Sequence, residues 1–175
     1  MAGCFWRWGP WFVCGVNRAG NGVVNVVAID LDDDKLAAAR EQGAKAVLNP
    51  SEVKDAPAEL QEIAGGNVLA ALDTVGAEAT AHLAVNALKK TGRLVIVGLH
   101  GGRFSIPLPF FPQRAMTVRG SYVGSVQELR ELVALVREGR MKPIPVATRP
   151  MADADQTLKD LEAGKIVGRV VLSTE

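Results

Sequence analysis

Strand-like and helix-like segments alternate along this chain from Gly22 to its end, and this alternation constrains the fold more strongly than any other feature of the sequence. Residues 23–29 form an apolar run rich in β-branched side chains, which is typical of a strand buried on both faces of a sheet. Asn49-Pro50 closes the next, shorter strand. Strands after the first are predicted at residues 46–48, 68–73, 93–97, 117–123, 144–148 and 168–173.

The helix-like segments determine how these strands pair. Asp32, Asp33 and Asp34 crowd the start of the first helix, where carboxylates accept from free N–H groups and oppose the positive end of the helix dipole. Strands joined by helices of this length pair in parallel through right-handed crossovers. We therefore predict an α/β fold, a doubly wound and mainly parallel sheet with helices on both faces. Later helices are predicted at residues 57–63, 77–90, 125–138 and 152–163, with a proline-spaced loop at 104–112.

The residues that follow each strand are the candidates for a site, because in a doubly wound sheet the ligand lies at the carboxyl ends of the strands. Asp30 ends the first of these strands, where a dinucleotide fold places a carboxylate to accept from ribose hydroxyl groups. The alternative is that Asp30 only ends the strand or caps the helix. Thr74-Val75-Gly76 and Val97-Gly98-Leu99 follow two later strands, and their glycines either let the backbone approach a flat ligand or are ordinary turn glycines.

The N-terminal segment, residues 1–21, departs from this pattern. Trp6, Trp8 and Trp11 have the spacing W-x-W-x-x-W. The only tryptophan codon, TGG, read one base later always gives glycine, so the neighbouring frame holds G-x-G-x-x-G, the turn that opens a dinucleotide-binding unit roughly 20 residues before an acidic residue. We interpret residues 1–21 as an out-of-frame translation that degrades the first strand–turn–helix unit, with residues 12–16 filling the central strand position crudely. The alternative is three tryptophans spaced by chance.

Composition excludes several classes of function. A net charge of +1 gives no electrostatic basis for binding nucleic acid or an anionic membrane. The apolar runs are far shorter than the roughly 20 residues of a membrane span, and no secretory signal is visible, so we expect a cytoplasmic protein. Cys4 and Cys14 are not arranged as C-x-x-C, and no Cys–His cluster predicts a metal site. His82 and His100 are read as ordinary helix and loop histidines, with a general-base role for His100 as the alternative.

Apolar residues surround the sixth predicted strand, which we expect at the edge of the sheet. Exposed apolar groups beside an unpaired strand edge usually mark a partner surface. We therefore expect a homo-oligomer contact here, with packing of the loop onto its own domain as the alternative. The residues concerned are Phe110, Phe111, Tyr122 and Val123.

Several short motifs follow one another along the chain: Asp30 with Asp33, Lys35 and Leu36, then Gly43-Ala44, Asp73-Thr74-Val75-Gly76, Gly92-Arg93-Leu94-Val95, Gly120-Ser121-Tyr122-Val123-Gly124 and Gly168-Arg169-Val170-Val171-Leu172. Each motif alone is weak, but their order and spacing are specific. Together they resemble the coenzyme (Rossmann) domain of the zinc-type medium-chain alcohol dehydrogenases, near the bacterial secondary-alcohol members. The resemblance covers residues 20–175.

This resemblance implies a protein of two domains, of which the chain would hold the nucleotide-binding one over residues 22–175 and lack the zinc-bearing catalytic one. It implies hydride transfer between a primary or secondary alcohol and NAD, with zinc polarising the alcohol oxygen. A carboxylate at Asp30 favours NAD over NADP, since it repels a ribose 2′-phosphate. No residue of this chain is expected to be catalytic. The implied coenzyme-binding residues are Asp30 and Lys35 at the adenosine ribose, Val75, Val97, Gly98 and Leu99 on the nicotinamide side, and Arg169 at the pyrophosphate.

Three other functions stay open at this point. They are a stand-alone nucleotide-binding or regulatory module, a truncated product with no stable ligand site, and a member of the zinc-free quinone-reductase branch. That branch usually favours NADPH, and the carboxylate of Asp30 argues against it. We expect the chain alone to have no dehydrogenase activity, because none of its residues is predicted to bind zinc or to activate an alcohol.

Overall fold

The structure is a computed structural model that describes residues 12–17, 24–140 and 146–174. The larger of its two sheets has the strands β1 (Phe12–Asn17), β2 (Val24–Ile29), β3 (Ala46–Leu48), β4 (Val68–Asp73), β5 (Arg93–Ile96) and β6 (Thr117–Gly120). They lie in the order β3–β2–β1–β4–β5–β6, which is the strand order of doubly wound nucleotide-binding folds. The predicted α/β class is therefore confirmed.

The direction of β1 differs from the predicted parallel pattern. Parallel pairing joins β2 to β3, β4 to β5 and β5 to β6, as predicted. β1 fills the predicted central position between β2 and β4 but runs antiparallel to both, with Phe12 opposite Ile29 on one side and Asp73 on the other. Only residues 18–23 join β1 to β2, whereas a parallel connection needs a crossover of about a dozen residues or more. The sheet is therefore mainly parallel, as predicted, with β1, for which no direction was predicted, as an antiparallel strand at its centre.

The helices of the structure are α1 (Asp33–Glu41), α2 (Ala56–Ile63), α3 (Glu78–Ala87), α4 (Phe110–Arg114), α5 (Val126–Arg137) and α6 (Ala154–Glu162). Capping side chains fix where three of them begin. The carboxylates of Asp32 and Asp55 accept from first-turn N–H groups of α1 and α2. Ser125 and Glu128 form a capping box at α5, which explains why this helix begins where the sequence predicts.

Among several departures from the predicted bounds, those at α3, α4 and β6 are the largest. α3 ends at Ala87 because Leu88 takes an extended backbone conformation, which carries its side chain into the core. α4 forms within the segment that was predicted to be a loop. β6 ends at Gly120, so Tyr122 and Val123 lie beyond the strand rather than in it.

The core of the larger unit lies between its sheet and its helices. Leu60 of α2, Val68 of β4 and Leu94 of β5 are completely buried in it, together with Leu88. Each fully buried side chain of this size contributes about 1.5–3 kcal/mol relative to an exposed one. The strand ends that carry the candidate site are therefore held in place by a well-packed core.

The described residues form two units, 12–123 and 124–174. In the second unit, β7 (Val146–Pro150) and β8 (Arg169–Ser173) pair in parallel. An ion pair of 2.8 Å between Arg149 of β7 and Asp160 of α6 joins the strand to the helix. The single domain expected over residues 22–175 stays a prediction, and the predicted strand start at residue 144 lies outside the described residues.

The tryptophan hypothesis also concerns residues outside the described part of the chain. Trp6, Trp8, Trp11 and Cys4 all belong to that segment, so the frame-shifted turn stays a hypothesis that the coding DNA would decide. Within residues 12–17, 24–140 and 146–174, no helix is both long enough and apolar enough to cross a membrane.

Candidate functional site

The carboxyl ends of β2 and β4 lie at one edge of the six-stranded sheet, on either side of β1. Phe12 of β1 lies opposite both Ile29, the last residue of β2, and Asp73, the last residue of β4. Because neighbouring strands are about 4.8 Å apart, these two strand ends lie roughly 10 Å from each other. β5 continues the same edge beside β4. The residues that follow these strands are Asp30, Thr74 and Val97.

Asp30 has one carboxylate oxygen that the protein satisfies and one that it does not. Oδ1 accepts from the backbone N–H of Asp32 at 3.0 Å. Oδ2 is buried and receives no hydrogen bond from any residue that the structure describes. Burial raises the pKa of the Asp30 carboxyl, against the lowering effects of the Asp32 N–H and of the Lys35 charge. Buried acceptors without donors are rare in folded proteins, which makes Oδ2 a candidate contact for a ligand.

Lys35 is close enough to Asp30 to act on its charge. It projects from the first turn of α1, with Nζ 3.5 Å from Oδ2 of Asp32. An ammonium group beside an unpaired carboxylate oxygen suits a ligand with neighbouring hydroxyl groups, because a hydroxyl can donate to the carboxylate and accept from the lysine.

Backbone hydrogen bonds hold the loop after β4 against the loop after β5. The carbonyl oxygen of Asp73 accepts from the N–H groups of Val97 at 2.8 Å and Gly98 at 3.1 Å. A Cβ atom on Gly98 would lie 2.0 Å from the carbonyl carbon of Val75, and one on Gly76 would lie 2.0 Å from the carbonyl oxygen of Gly98. These two glycines therefore permit close contact between the loops themselves, a reason that the sequence did not reveal.

Asp73 is a structural residue of this edge that sequence reasoning did not single out. Its side chain is fully buried, and Oδ1 accepts from the N–H groups of Val75 at 3.0 Å and Gly76 at 2.9 Å. Oδ2 accepts from the hydroxyl of Thr80 in α3 at 2.8 Å. The sequence did contain a signal for Asp73, because it is the charged residue that ends an otherwise apolar strand. Both oxygens are satisfied within the chain, so Asp73 holds the loop instead of offering an acceptor to a ligand.

A cavity of about 280 Å³ opens beside these two loops. Ile96, Leu99 and Phe104 give it apolar walls, and Gly98 contributes backbone. The ring of His82 meets Phe104 edge-on at 5.1 Å between centroids, so His82 belongs to the packing behind the cavity. Glu78, Arg103 and Asp73 also line the cavity, but its surface is mainly apolar, which suits a flat ring.

The residues expected on the nicotinamide side divide into two pairs. Gly98 and Leu99 line the cavity, and Leu99 is 78 % exposed. Val75 and Val97 contribute the backbone contacts that hold the loops together. Near them, the hydroxyl oxygen of Thr74 is buried with no hydrogen-bond partner among the described residues. This second unsatisfied oxygen lies on the same edge as Oδ2 of Asp30.

Arg169 lies in the other unit, at the first position of β8. Its guanidinium group donates to the carbonyl oxygen of Gly168 at 2.8 Å. Its contact with a pyrophosphate stays a prediction.

The apolar residues around β6 differ in exposure. Phe110 and Phe111 are partly buried, and the guanidinium carbon of Arg114 lies 4.8 Å from the centroid of the Phe110 ring. Tyr122 and Val123 are 74 % and 79 % exposed. Val123 has φ of 47°, in the left-handed region that β-branched residues rarely adopt. The phenylalanines therefore pack partly on their own unit, whereas Tyr122 and Val123 remain accessible.

Among the residues that the structure describes, no three His, Cys, Asp or Glu side chains are placed to hold a metal ion. The zinc that the resemblance implies for the parent family therefore finds no fitting set of ligands in this part of the chain.

Comparison with known proteins gives a consistent result. A family model described as zinc-binding dehydrogenase matches residues 14–138. The alcohol dehydrogenase of Moraxella sp. (strain TAE123) is 35 % identical over 150 residues, which are 85 % of this chain and 43 % of that protein. The alcohol dehydrogenase of Geobacillus stearothermophilus is 34 % identical over 152 residues, covering 87 % of this chain and 44 % of that protein. The chain thus spans less than half the length of these relatives.

Solved structures show the same similarity. The crystal structure of the alcohol dehydrogenase from Aeropyrum pernix superimposes with a TM-score of 0.75 at 33 % identity, covering 83 % of this chain and 42 % of that one. A structure described as an NAD-dependent alcohol dehydrogenase gives a TM-score of 0.74 at 26 % identity, covering 85 % of this chain and 43 % of that one.

The contact between the two loops predicts a large effect of one methyl group. Gly98→Ala should lower the free energy of unfolding by about 1–3 kcal/mol or more, because the added Cβ has no space beside the Val75 backbone. Gly120→Ala is the matched control, since a Cβ there meets no atom within 4 Å. Urea unfolding of both variants measures the difference, and equal midpoints would contradict the loop contact.

The environment of Asp30 predicts a pH dependence of stability. Because burial raises the pKa of this carboxyl in the folded chain above its ordinary value of 3.8, the folded chain holds the proton more tightly than the unfolded one. The associated stability is present below the unfolded pKa and is lost as the pH rises through the folded pKa. Asp30→Asn lacks this loss, so its stability relative to wild type should increase from acid to neutral pH in urea unfolding. A difference that does not change with pH would refute the assignment.

Proposed function

Because the chain belongs to the zinc-binding dehydrogenase family, we propose that it forms the coenzyme-binding part of an oxidoreductase that transfers hydride between a primary or secondary alcohol and NAD. The family follows from the match over residues 14–138. The proposal for the chain is limited to coenzyme binding, because it spans 43 % of the Moraxella relative. Alcohol activation by zinc is proposed to depend on residues other than those described here.

The observation that carries the proposal is Oδ2 of Asp30, which has no hydrogen-bond partner among the described residues. It is buried at the carboxyl end of β2, next to the central strand, where doubly wound folds receive the adenosine ribose. A ribose hydroxyl would donate to Oδ2, and Lys35 lies near enough to donate to the same sugar. A buried acceptor without a donor destabilises the free chain. A ligand that supplies the donor removes this cost, and so binds more tightly.

Asp30 also supports NAD over NADP. A 2′-phosphate would bring negative charge to a carboxylate that burial already disfavours in its charged form. Lys35 offers limited compensation, because its ammonium lies 3.5 Å from the Asp32 carboxylate. The same charge argument disfavours the NADPH-dependent quinone-reductase alternative.

The cavity beside the loops after β4 and β5 supports the proposal that the nicotinamide binds there. NAD, when bound, supplies the ring that accepts or returns the hydride. Leu99 and Ile96 would exclude water from one face of that ring, and the Gly98 backbone would allow it to approach closely. We also propose a cytoplasmic location for the protein.

NAD binding by the purified chain tests this function. The wild-type chain should give saturable heat with NAD in titration calorimetry. Asp30→Asn keeps the Oδ1 acceptor but removes the charge, and should weaken NAD binding about tenfold or more, as expected for the loss of a hydrogen bond to a charged group. NADP should bind the wild type more weakly than NAD does, and the gap should narrow in Asp30→Asn.

Asp34→Asn is the matched control, because Asp34 is an exposed carboxylate in the first turn of the same helix. It should bind NAD as the wild type does. Absence of saturable heat in the wild type would favour the truncated product without a ligand site. Tight NAD binding that Asp30→Asn leaves unchanged would place the coenzyme elsewhere.

We further propose that the β6 edge forms a contact between copies of the chain. Among the described strands, β6 is the last of its sheet and pairs with β5 alone. Exposed strand edges tend to pair with another chain. Tyr122 and Val123, both strongly exposed, would flank that contact.

The oligomer contact predicts a concentration-dependent mass in sedimentation equilibrium. Replacing Tyr122 and Val123 together by Glu should weaken association about tenfold or more, because it places charge in an apolar contact. Leu108→Glu is the control, since Leu108 is similarly exposed, at 81 %, but lies before α4 and outside β6. A monomeric wild type, or equal masses for both variants, would refute the contact.

A further inference from the structure

Asn49 is buried at the same edge of the sheet, immediately after β3, with only 8 % of its surface exposed. Its side-chain amide makes four hydrogen bonds, all within the chain. Oδ1 accepts from the N–H of Ser51 at 3.1 Å and from the Ser51 hydroxyl at 2.6 Å. These two bonds fix which way the amide faces, because an amide nitrogen in place of Oδ1 could not accept from Ser51.

The other end of the amide therefore has to face the turn between β2 and α1. Nδ2 donates to the carbonyl oxygen of Leu31 at 3.3 Å and to Oδ1 of Asp33 at 3.0 Å. Leu31 and Asp33 are the two neighbours of Asp32 in the chain. Asp32 is the residue whose backbone N–H donates to Oδ1 of Asp30.

We propose that Asn49 is a positioning residue, which holds the turn at residues 31–33 so that Asp32 fixes the Asp30 carboxylate with Oδ2 directed to the coenzyme ribose. The ligand part of this inference depends on the proposed function. Asn49 reaches both sides of Asp32 from a different strand, so the orientation of Asp30 does not rest on its own loop alone. A backbone bond from the Asp30 N–H to the Leu48 carbonyl at 3.3 Å adds a second link between β2 and β3.

Among the residues that the structure describes, the charged groups that act on Asp30 or contact Asn49 lie between Asp32 and Lys35, on the β2 side of this junction. They are Lys35 and Asp32, which act on its charge, and Asp33, which Asn49 contacts. From β3 the junction receives only the neutral amide of Asn49. Loss of that amide would therefore change the position and hydration of Asp30 without removing a charge.

Asn49→Ala tests the inference in the full chain. Release of the turn should let water reach Oδ2, so the pKa of Asp30, followed by ¹³C NMR of the side-chain carboxyl, should fall towards its ordinary value. The Asp32 amide should exchange with solvent faster, because its bond to Asp30 is no longer held. NAD affinity should fall about tenfold in calorimetry.

Ser51→Ala is the matched control. It removes one hydrogen bond from the same network but leaves both bonds from Nδ2 to the turn. It should leave the Asp30 pKa, the Asp32 exchange rate and NAD binding unchanged, although it lowers stability. If Asn49→Ala does not fold, Asn49→Ser provides a milder loss of the same two bonds, with the same expected directions.

The inference is overturned if Asn49 and Ser51 variants lose similar stability while the Asp30 pKa and the Asp32 exchange rate stay at their wild-type values. Both NMR measurements are made without coenzyme. A wild-type chain that fails to bind NAD would therefore refute the proposed function. The NMR measurements would still show whether Asn49 positions Asp30. An effect on NAD affinity without an effect on the NMR measurements would also contradict positioning through Asp32.

Discussion

The backbone hydrogen bonds on both sides of β1 are the interaction on which the larger unit depends. β1 lies between β2 and β4, so without it each of these strands would carry an unpaired edge in the middle of the sheet. Each unmet buried backbone group costs about 1–3 kcal/mol, and a small domain has only about 5–15 kcal/mol of net stability. Antiparallel pairing satisfies the N–H and carbonyl groups of both neighbours as parallel pairing would, although it leaves a bulge between Gly15 and Val16.

The antiparallel direction of β1 separates the two roles that a central strand has. Its backbone closes the sheet and brings the ends of β2 and β4 to one edge, and that role survives the reversal of direction. Its second role, to lead into a turn and helix at the carboxyl edge, is lost with the reversal, because β1 now begins at that edge with Phe12. Of the features expected at the carboxyl edge of the sheet, the described residues include the acidic residue after β2 and the cavity beside β4 and β5.

Periodicity and turn chemistry were sufficient to predict most of the elements. The predicted starts of the strands β3 to β6, the central place of residues 12–16 and the start of α5 are confirmed, because each depends on local signals. No direction was predicted for β1, because the alternation argument begins after it, although the shortness of the link at residues 18–23 favours antiparallel pairing. The early end of α3 reflects the burial of Leu88, a tertiary effect that helix propensity does not contain.

The candidate site could be predicted only where it, too, depends on local signals. Asp30 could be selected from its place after an apolar strand, but its unpaired oxygen and its support by Asn49 depend on contacts between distant segments. Asp73 was overlooked as a separate residue because its role is to bind a loop and a helix of its own chain.

The contact between Gly76 and Gly98 has a mechanical consequence. Two loops whose main chains touch, and which both donate to Asp73, one to its carboxylate and the other to its carbonyl oxygen, cannot be displaced one at a time. Any induced fit on this side of the edge must shift both as a single body, or break bonds that rigidify the rim. Adaptation to different ring-shaped ligands would then fall to side chains such as Leu99, which can change rotamer while the two backbones stay still.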